Sequence, residues 1–149
     1  MSNLPSPIAS LADFFQSFSS GYELRILVNF VLCVLAGIII GKDREAKGKA
    51  AGVSTHCLVI SGSMLFTMLS LLINGDPSRI AAQIVTGVGF LGAGIIMKKE
   101  DQTIGNLTTA AGIWFSSAIG MAIGFEMYTM ACTATAMAFF IFRYLPHFK

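Results

Sequence analysis

Charged residues are scarce in this sequence. They make up 12% of its 149 residues, whereas 54% of the residues are apolar. A soluble domain carries about 25% charged residues, so this chain has too little polar surface to cover a packed core in water. The scarcity of charge argues against a soluble domain and makes a lipid bilayer the expected solvent.

The residues from which disulfide, metal and catalytic sites are built are also scarce. Cys33, Cys57 and Cys132 stand far apart without a CxxC pair, which predicts neither a disulfide framework nor a zinc site. The sequence has no HExxH, GxSxG or P-loop motif, so we expect no enzyme activity and no cofactor. The basic residues are divided among separate short segments, which argues against nucleic-acid binding.

Long apolar runs, by contrast, are abundant. Five of them lie at 22–41, 55–73, 77–97, 107–124 and 127–145. Each run is long enough to cross a bilayer as a helix, and none shows the short alternating pattern of a barrel strand. We therefore predict an all-α membrane domain over residues 22–145, a bundle of five transmembrane helices. No charge falls at mid-membrane, which argues against an ion pump built on buried carboxylates.

The basic residues alternate between the two sides of the predicted bundle. One side holds Lys42, Arg44, Lys47, Lys49, Lys98, Lys99, Arg143 and Lys149. The other side holds Arg25 and Arg79. Because cytoplasmic loops retain positive charge, we predict an N-terminus outside, a cytoplasmic tail at 146–149, and residence in an inner membrane.

Residues 1–21 contain no basic residue and no long apolar core, so they do not look like a cleavable signal. Leu11, Phe14, Phe15 and Phe18 fall on one helical face. That pattern predicts either a short helix lying on the outer membrane surface or a simple tail.

Small residues recur every four positions in two of the runs. The rows are Asn29, Cys33, Gly37 and Gly41 in the first run, and Thr108, Gly112, Ser116, Gly120 and Gly124 in the fourth. Such rows allow close helix contacts in lipid, so we expect the fourth span at the centre of the bundle. The alternative is that glycine is simply frequent in membrane helices.

The third run begins with a helix-start signal, Asp76 as the N-cap and Pro77 in the first helical position. Arg79, Gln83 and Thr86 then form a polar stripe on one helical face. Either Arg79 reaches the outer interface and pairs with Asp76, or the stripe lines a small cavity or holds a partner helix.

The stretch from Gly87 to Gly92 matches the nucleotide-binding pattern GxGxxG. That pattern works where a strand turns into a helix, whereas here it lies inside an apolar run. We interpret these glycines as places where the helix admits a close neighbour, bends or breaks.

The first connection, residues 41–56, is the second candidate site. Its site residues are Asp43, Arg44, Glu45, Thr55 and His56. Two interpretations stay open: a magnesium site formed by Asp43, Glu45 and His56, or an anchor of basic residues against anionic lipid. His56 is also a candidate for a pH-sensitive contact to the carboxylates of this connection.

Three segments resemble the MgtC/SapB family of bacterial inner-membrane proteins. They are GKDREAKGKAAGVSTH at 41–56, DPSRIAAQIVTGVGFLGAGIIM at 76–97 and GNLTTAAGIWFSSAIGMAIG at 105–124. The positions that match the family pattern are Arg44, Glu45, Gly52, Thr55, His56, Asp76, Pro77, Arg79, Gln83, Asn106, Thr108 and Thr109. Asp43 and Ser54 depart from it, since the family usually has Glu and Arg there.

The resemblance implies four or five spans and a role in survival under low magnesium. One branch of the family is associated with restraint of ATP synthase. Longer members carry a soluble C-terminal domain, which we do not expect here.

Two functions follow from these observations. The first is a regulatory protein in magnesium limitation or stress adaptation that docks in the bilayer against a complex such as ATP synthase. The second is a homo-oligomeric transporter or channel for magnesium or an anion, built around the polar stripe. They differ in whether the stripe faces a dry helix contact or a wet cavity.

Overall fold

The computed structural model describes residues 22–72, 76, 78–98 and 104–145. These residues are mainly helical, as predicted, with short connections and one hairpin of two two-residue strands. The elements are α1 (Tyr22–Ala46), α2 (Val53–Leu72), α3 (Ser78–Ile95), β1 (Met97–Lys98), β2 (Ile104–Gly105), α4 (Leu107–Gly124) and α5 (Tyr128–Tyr144). The predictions for residues 1–21, for Pro77 and for the tail at 146–149 lie outside the described residues.

Four of these helices, α1 to α4, are long and apolar enough to cross a membrane. The fifth helix, α5, has 17 residues, which is at the lower limit of the length that spans the hydrocarbon core. The predicted all-α membrane architecture is therefore confirmed, with four candidate spans in the described part of the chain.

The first connection differs from its prediction. Helix α1 continues to Ala46, so Asp43, Arg44 and Glu45 lie on its last turns and not in a loop. The apolar run ends near residue 41, but the helix continues because these polar side chains find partners on neighbouring helices. A short connection follows, and Thr55 and His56 then lie in the first turn of α2.

Helix α4 occupies the centre of the bundle, the position that its row of small residues predicts. It packs against each of the other four helices, and it is the most buried of the four candidate spans. A Cβ atom at Gly120 would collide with the backbone oxygen of Ile60, and one at Gly124 would lie 2.8 Å from the backbone oxygen of Met64. The glycines of α4 therefore allow backbone contact with α2.

The row in α1 has the same purpose. Cβ atoms at Gly37 and Gly41 would collide with the backbone of Cys57 and Val53 at the start of α2. The central core is filled by apolar side chains from α1, α2, α4 and α5: Cys33, Ile40, Ile60, Met64, Ile119, Ile123, Ala131, Ala138 and Phe142. All three cysteines are free thiols, and Cys33 is buried whereas Cys132 is exposed.

Candidate functional site

The fold brings together two groups of residues that are far apart in the sequence. Arg44 and His56, from the first connection, meet Thr109 and Ser116 of α4. We call these four residues the polar cluster. Their exposed fractions are 3%, 1%, 2% and 0%, so the cluster is sealed inside the bundle, near the end of α1 and the beginning of α2.

Arg44 is held by neutral groups. Its Nη2 donates to the Thr109 hydroxyl at 3.1 Å, and its guanidinium carbon lies 4.5 Å from the centre of the Phe142 ring. Among the described residues no carboxylate lies within ion-pair distance of Arg44, and its buried Nε has no hydrogen-bond partner. A buried guanidinium is normally paired with a carboxylate, so the cation–π contact and one hydroxyl are an unusual environment for it.

His56 joins α2 to α4. Its Nδ1 lies 2.8 Å from the Ser116 hydroxyl, and its buried Nε2 has no partner among the described residues. The predicted contact between His56 and the carboxylates of the first connection is wrong. The imidazole faces α4, whereas Asp43 and Glu45 point toward other elements.

Asp43 ties the end of α1 to α5. Its carboxylate accepts from Lys47 Nζ at 2.7 Å and lies 3.4 Å from Arg143 Nη1. Lys47 Nζ also donates to the backbone oxygen of Phe142 at 2.6 Å. The aspartate side chain is 5% exposed, so this contact is a nearly buried clamp between the two helices.

Glu45 has a different purpose. Its Oε2 accepts from the backbone N–H of Val53 at 3.1 Å, at the start of α2. A carboxylate there satisfies a free N–H group and lies favourably at the positive end of the helix dipole. Asp43, Glu45 and His56 thus point in three directions, and the predicted magnesium site does not form. In the described ranges no three His, Cys, Asp or Glu side chains lie together in a way that could hold a metal ion.

The polar stripe of α3 lies elsewhere and faces outward. Arg79, Gln83 and Thr86 are all exposed, and Arg79 forms no ion pair within the described part of the chain. The Thr86 hydroxyl donates to the Ala82 oxygen of its own helix at 3.4 Å. The stripe therefore has no packing partner in the described bundle.

The start of α3 follows the predicted capping pattern. The backbone N–H of Ser78 donates to Asp76 Oδ1 at 2.9 Å. Hydrogen bonds from the Ser78 hydroxyl and backbone lower the pKa of the Asp76 carboxyl below its ordinary value. Asp76 is thus an N-cap.

The glycine-rich stretch of α3 does not break the helix, which is continuous to Ile95. Gly92 faces Ala110 of α4, 3.6 Å from the position of an added Cβ. Gly87, Gly89 and Gly94 have open space beside them. Of these four glycines, only Gly92 admits a close neighbouring helix, as the sequence predicts.

A groove of about 490 Å³ runs between α2 and α3. Gln83 and Gly87 of the stripe line it, together with Gly62 and Leu58 of α2. A Cβ at Gly62 would also meet open space. The stripe and the groove thus form one continuous outward surface on α2 and α3.

The remaining predicted residues lie at the start of α4. Asn106 has a left-handed backbone, with φ of 63°, and its amide nitrogen donates to the Ile95 oxygen at 3.2 Å. It thereby joins the end of α3 to the beginning of α4. Thr108 is exposed and lines a smaller cavity between α4 and α5. Gly112 gives space to the ring of Phe142, which an added Cβ would meet at 2.5 Å.

Sequence reasoning missed Phe142, Lys47 and Tyr128 as partners. Phe142 covers the Arg44 guanidinium, and Tyr128 donates to the Asn29 amide oxygen at 3.1 Å. Phe142 and Tyr128 have no local signal, because each contacts α1 from α5 across about 100 residues. Lys47 has one, because it pairs with Asp43 four positions earlier. An aromatic residue in an apolar run looks the same whether it faces lipid or a buried cation.

These features define a helical protein that crosses the membrane several times and encloses a buried polar cluster. The sequence profile of the MgtC family matches residues 30–149. The chain belongs to the MgtC family.

Named relatives agree with this assignment. Over 127 residues the chain is 42% identical to the Escherichia coli (strain K12) protein "Putative magnesium transporter YhiD", which covers 78% of this chain and 59% of the relative. Over 110 residues it is 41% identical to Protein MgtC of Salmonella typhimurium (strain 14028s), which covers 73% of this chain and 47% of the relative. The chain spans about half the length of these relatives. No solved structure matches the chain.

Proposed function

We propose that this protein is a regulatory membrane protein of the bacterial inner membrane, which acts by docking the outward surface of α3 against a helix of another membrane protein. Its setting is adaptation to magnesium limitation or stress, as the resemblance to the MgtC/SapB family implies. A complex such as ATP synthase is the partner that the same resemblance suggests.

The observation that supports this proposal is the polar stripe on an exposed face of a candidate span. The Gln83 amide has donors and acceptors that hydrocarbon cannot satisfy, so leaving it in lipid costs free energy. A neighbouring helix removes that cost by hydrogen bonding, and small residues let it approach closely. Gly87, which follows Gln83 by one turn and has open space beside it, suits such an approach.

The interior of the bundle also favours docking over transport. The core between α1, α2, α4 and α5 is filled by side chains such as Ile40, Ile60, Met64 and Ile119, all at most 1% exposed. The groove beside the stripe is lined mainly by apolar residues. A path for ions needs polar or ionisable groups along its length.

The proposed topology has five spans, with the N-terminus outside and the C-terminus in the cytoplasm. It is supported by the parallel course of α1 and α5, which meet through Asn29 and Tyr128 near one end and through Asp43 and Arg143 near the other. The first and fifth spans of such a protein run in the same direction. At 17 residues, α5 is just long enough to cross.

Photo-crosslinking in the native membrane tests the docking proposal. A photoreactive amino acid is introduced at Gln83, and, as a matched control, at Phe140, which is exposed on α5. We expect a specific product of higher mass from position 83 and none of the same mass from position 140. Identical products from both positions, or lipid adducts alone from both, would contradict docking through α3.

A second function, transport of an ion by an oligomer, is favoured by one specific observation and by one relative. Arg79 is an exposed cation on a candidate span and forms no ion pair within the described residues. The relative from E. coli has a name that describes magnesium transport. The exposed cation Arg79 would favour anions over magnesium.

Flux measurements in sealed proteoliposomes test this alternative. Magnesium, proton and phosphate flux are recorded for the wild type and for Arg79→Ala. Flux that depends on Arg79 would assign the protein to transport through the stripe of α3. Wild-type flux equal to that of empty liposomes would remove transport of these ions.

A further inference from the structure

Helices α1 and α5 leave a groove along their shared side. Its apolar part is a cavity of about 490 Å³, and its charged end, beside Asp43 and Arg143, is a cavity of about 590 Å³. Ile39 and Phe139 line both cavities, so the two parts meet there. The result is one elongated groove that begins among apolar side chains and ends among charged ones.

The 490 Å³ part of the groove is lined almost entirely by apolar surface. Its walls include Leu32, Leu35, Ala36, Cys132, Ala136 and Phe139. From Leu32 to Lys42, α1 rises about 15 Å at ~1.5 Å per residue. One leaflet supplies about half of the ~30 Å hydrocarbon core, so the groove has the length over which one acyl chain extends.

The charged end of the groove, beside Asp43 and Arg143, has more cations than anions. Lys42, Asp43 and Arg143 line it, and Lys47 adds a third cation on Asp43. The side chain of Arg143 is 57% exposed beside its contact to Asp43, and Lys42 is exposed without an ion pair among the described residues. This end of the groove thus has three cations and one carboxylate, and two of the cations, Lys47 and Arg143, contact that carboxylate. Glu45 adds no negative charge to this opening, because it faces the start of α2.

We propose that this groove is a binding site for one anionic phospholipid. Lys42 and Arg143 bind the phosphate, and an acyl chain lies along Ile39 and Phe139 toward Leu32. A zwitterionic lipid brings its own cation to the opening, where the basic side chains repel it. An anionic headgroup brings no such cation, and basic residues at a membrane surface attract it.

The proposal is independent of the docking surface, which lies on α3, but it rests on α5 crossing the membrane as proposed above. The lipid measurement and the crosslinking measurement therefore fail separately. A chain without lipid selectivity still crosslinks from Gln83 if docking is correct.

Native mass spectrometry of the purified protein in a delipidating detergent tests the site. Phosphatidylglycerol and phosphatidylcholine with the same acyl chains are titrated against the wild type, Lys42→Gln and Lys42→Gln with Arg143→Gln. Lys49→Gln is the matched control, since Lys49 is exposed at the same end of the bundle and does not line the groove.

We expect one tightly bound phosphatidylglycerol per chain and a preference over phosphatidylcholine in the wild type. Each removed cation should weaken phosphatidylglycerol binding about fivefold, as expected for one basic residue near an anionic surface, and Lys49→Gln should leave it unchanged. Lys42→Gln keeps the proposal testable if the double variant fails to fold, because Lys42 supports no ion pair in the described bundle.

Ala136→Phe, which fills the apolar part of the groove, should weaken both lipids. Equal binding of the two lipids by the wild type would overturn the proposal. So would an effect of Lys49→Gln as large as that of Lys42→Gln, which would indicate diffuse attraction to the whole basic surface.

Discussion

Polar side chains occur on the candidate spans in two regions of this molecule, and their surroundings differ between the two regions. In the polar cluster, Arg44 and His56 are enclosed by α1, α2, α4 and α5 and hydrogen bond to hydroxyls of α4. On α3, Arg79 and Gln83 face outward with no partner from the described bundle. The comparison teaches that a polar residue in a membrane helix indicates structure where its neighbours have closed around it, and an interaction surface where they have not.

The largest effect should come from placing a bulky side chain at the contact between α4 and α2, beside the polar cluster. Gly120→Leu should abolish the folded bundle, because even a Cβ at this position collides with the backbone oxygen of Ile60 and backbone atoms of packed helices give way poorly. Membrane yield and elution from a sizing column in detergent measure this. The matched variant is Gly89→Leu, which has open space beside it and should give normal yield. Equal yields for the two variants would refute the central position of α4.

A smaller loss should follow from removing one hydroxyl of the polar cluster. Ser116→Ala leaves the buried His56 Nδ1 without its partner at 2.8 Å, which should lower stability by about 1–3 kcal/mol. Thermal unfolding in detergent measures the change. Ser54→Ala, at an exposed position near the start of α2, is the control and should have no measurable effect. A wild-type melting temperature for Ser116→Ala would show that water replaces the hydroxyl.

Removing an exposed polar side chain of α3 should change function and leave stability unchanged. Gln83→Ala or Arg79→Ala should leave membrane levels and melting temperature close to those of the wild type, since both side chains are exposed. Function in a low-magnesium growth assay should nevertheless be lost. Complementation by both variants at wild-type level would remove the stripe from the functional site and leave the polar cluster as the candidate.

The smallest effect should come from the cap of α3. Asp76→Ala should increase backbone hydrogen exchange in the first turn of α3, whereas Asp76→Asn, which also caps helices, should not. Because the pKa of Asp76 is lowered in the folded protein, the capping contribution is present above the ordinary pKa of an aspartate and is lost as the pH falls through the folded value. Exchange that is the same for Asp76→Ala and Asp76→Asn would contradict the capping role.

The sequence predicts those features of the fold that depend on residues close together in the chain. Helix locations depend on apolar runs and local signals, so α4 was predicted over 107–124 and is found at Leu107–Gly124. The close contacts of Gly120 and Gly37 follow from small residues at spacing four, although the sequence does not identify the facing helix. The end of α1 was missed because Asp43 and Arg44 are stabilised by partners on α4 and α5.

The polar cluster shows the limit more clearly. Arg44 and Thr109 were both predicted as site residues, yet nothing in the sequence paired them, since they lie 65 positions apart. Proximity in sequence suggested that His56 would contact Asp43 and Glu45, and the orientation of the first turn of α2 made that prediction wrong. The neighbour that a helical side chain faces depends on how the helices pack, and no local sequence pattern specifies that packing.

The connection between α1 and α5 also has a consequence for how the protein is made. Helix α1 enters the membrane first and α5 last of the described helices, yet the clamp of Asp43 and the ring that covers Arg44 both need α5. Until α5 arrives, the nascent bundle holds an uncovered guanidinium beside its core. Insertion of α5 is thus the step that closes this region, and a membrane protease that surveys unfinished chains would find it open until then.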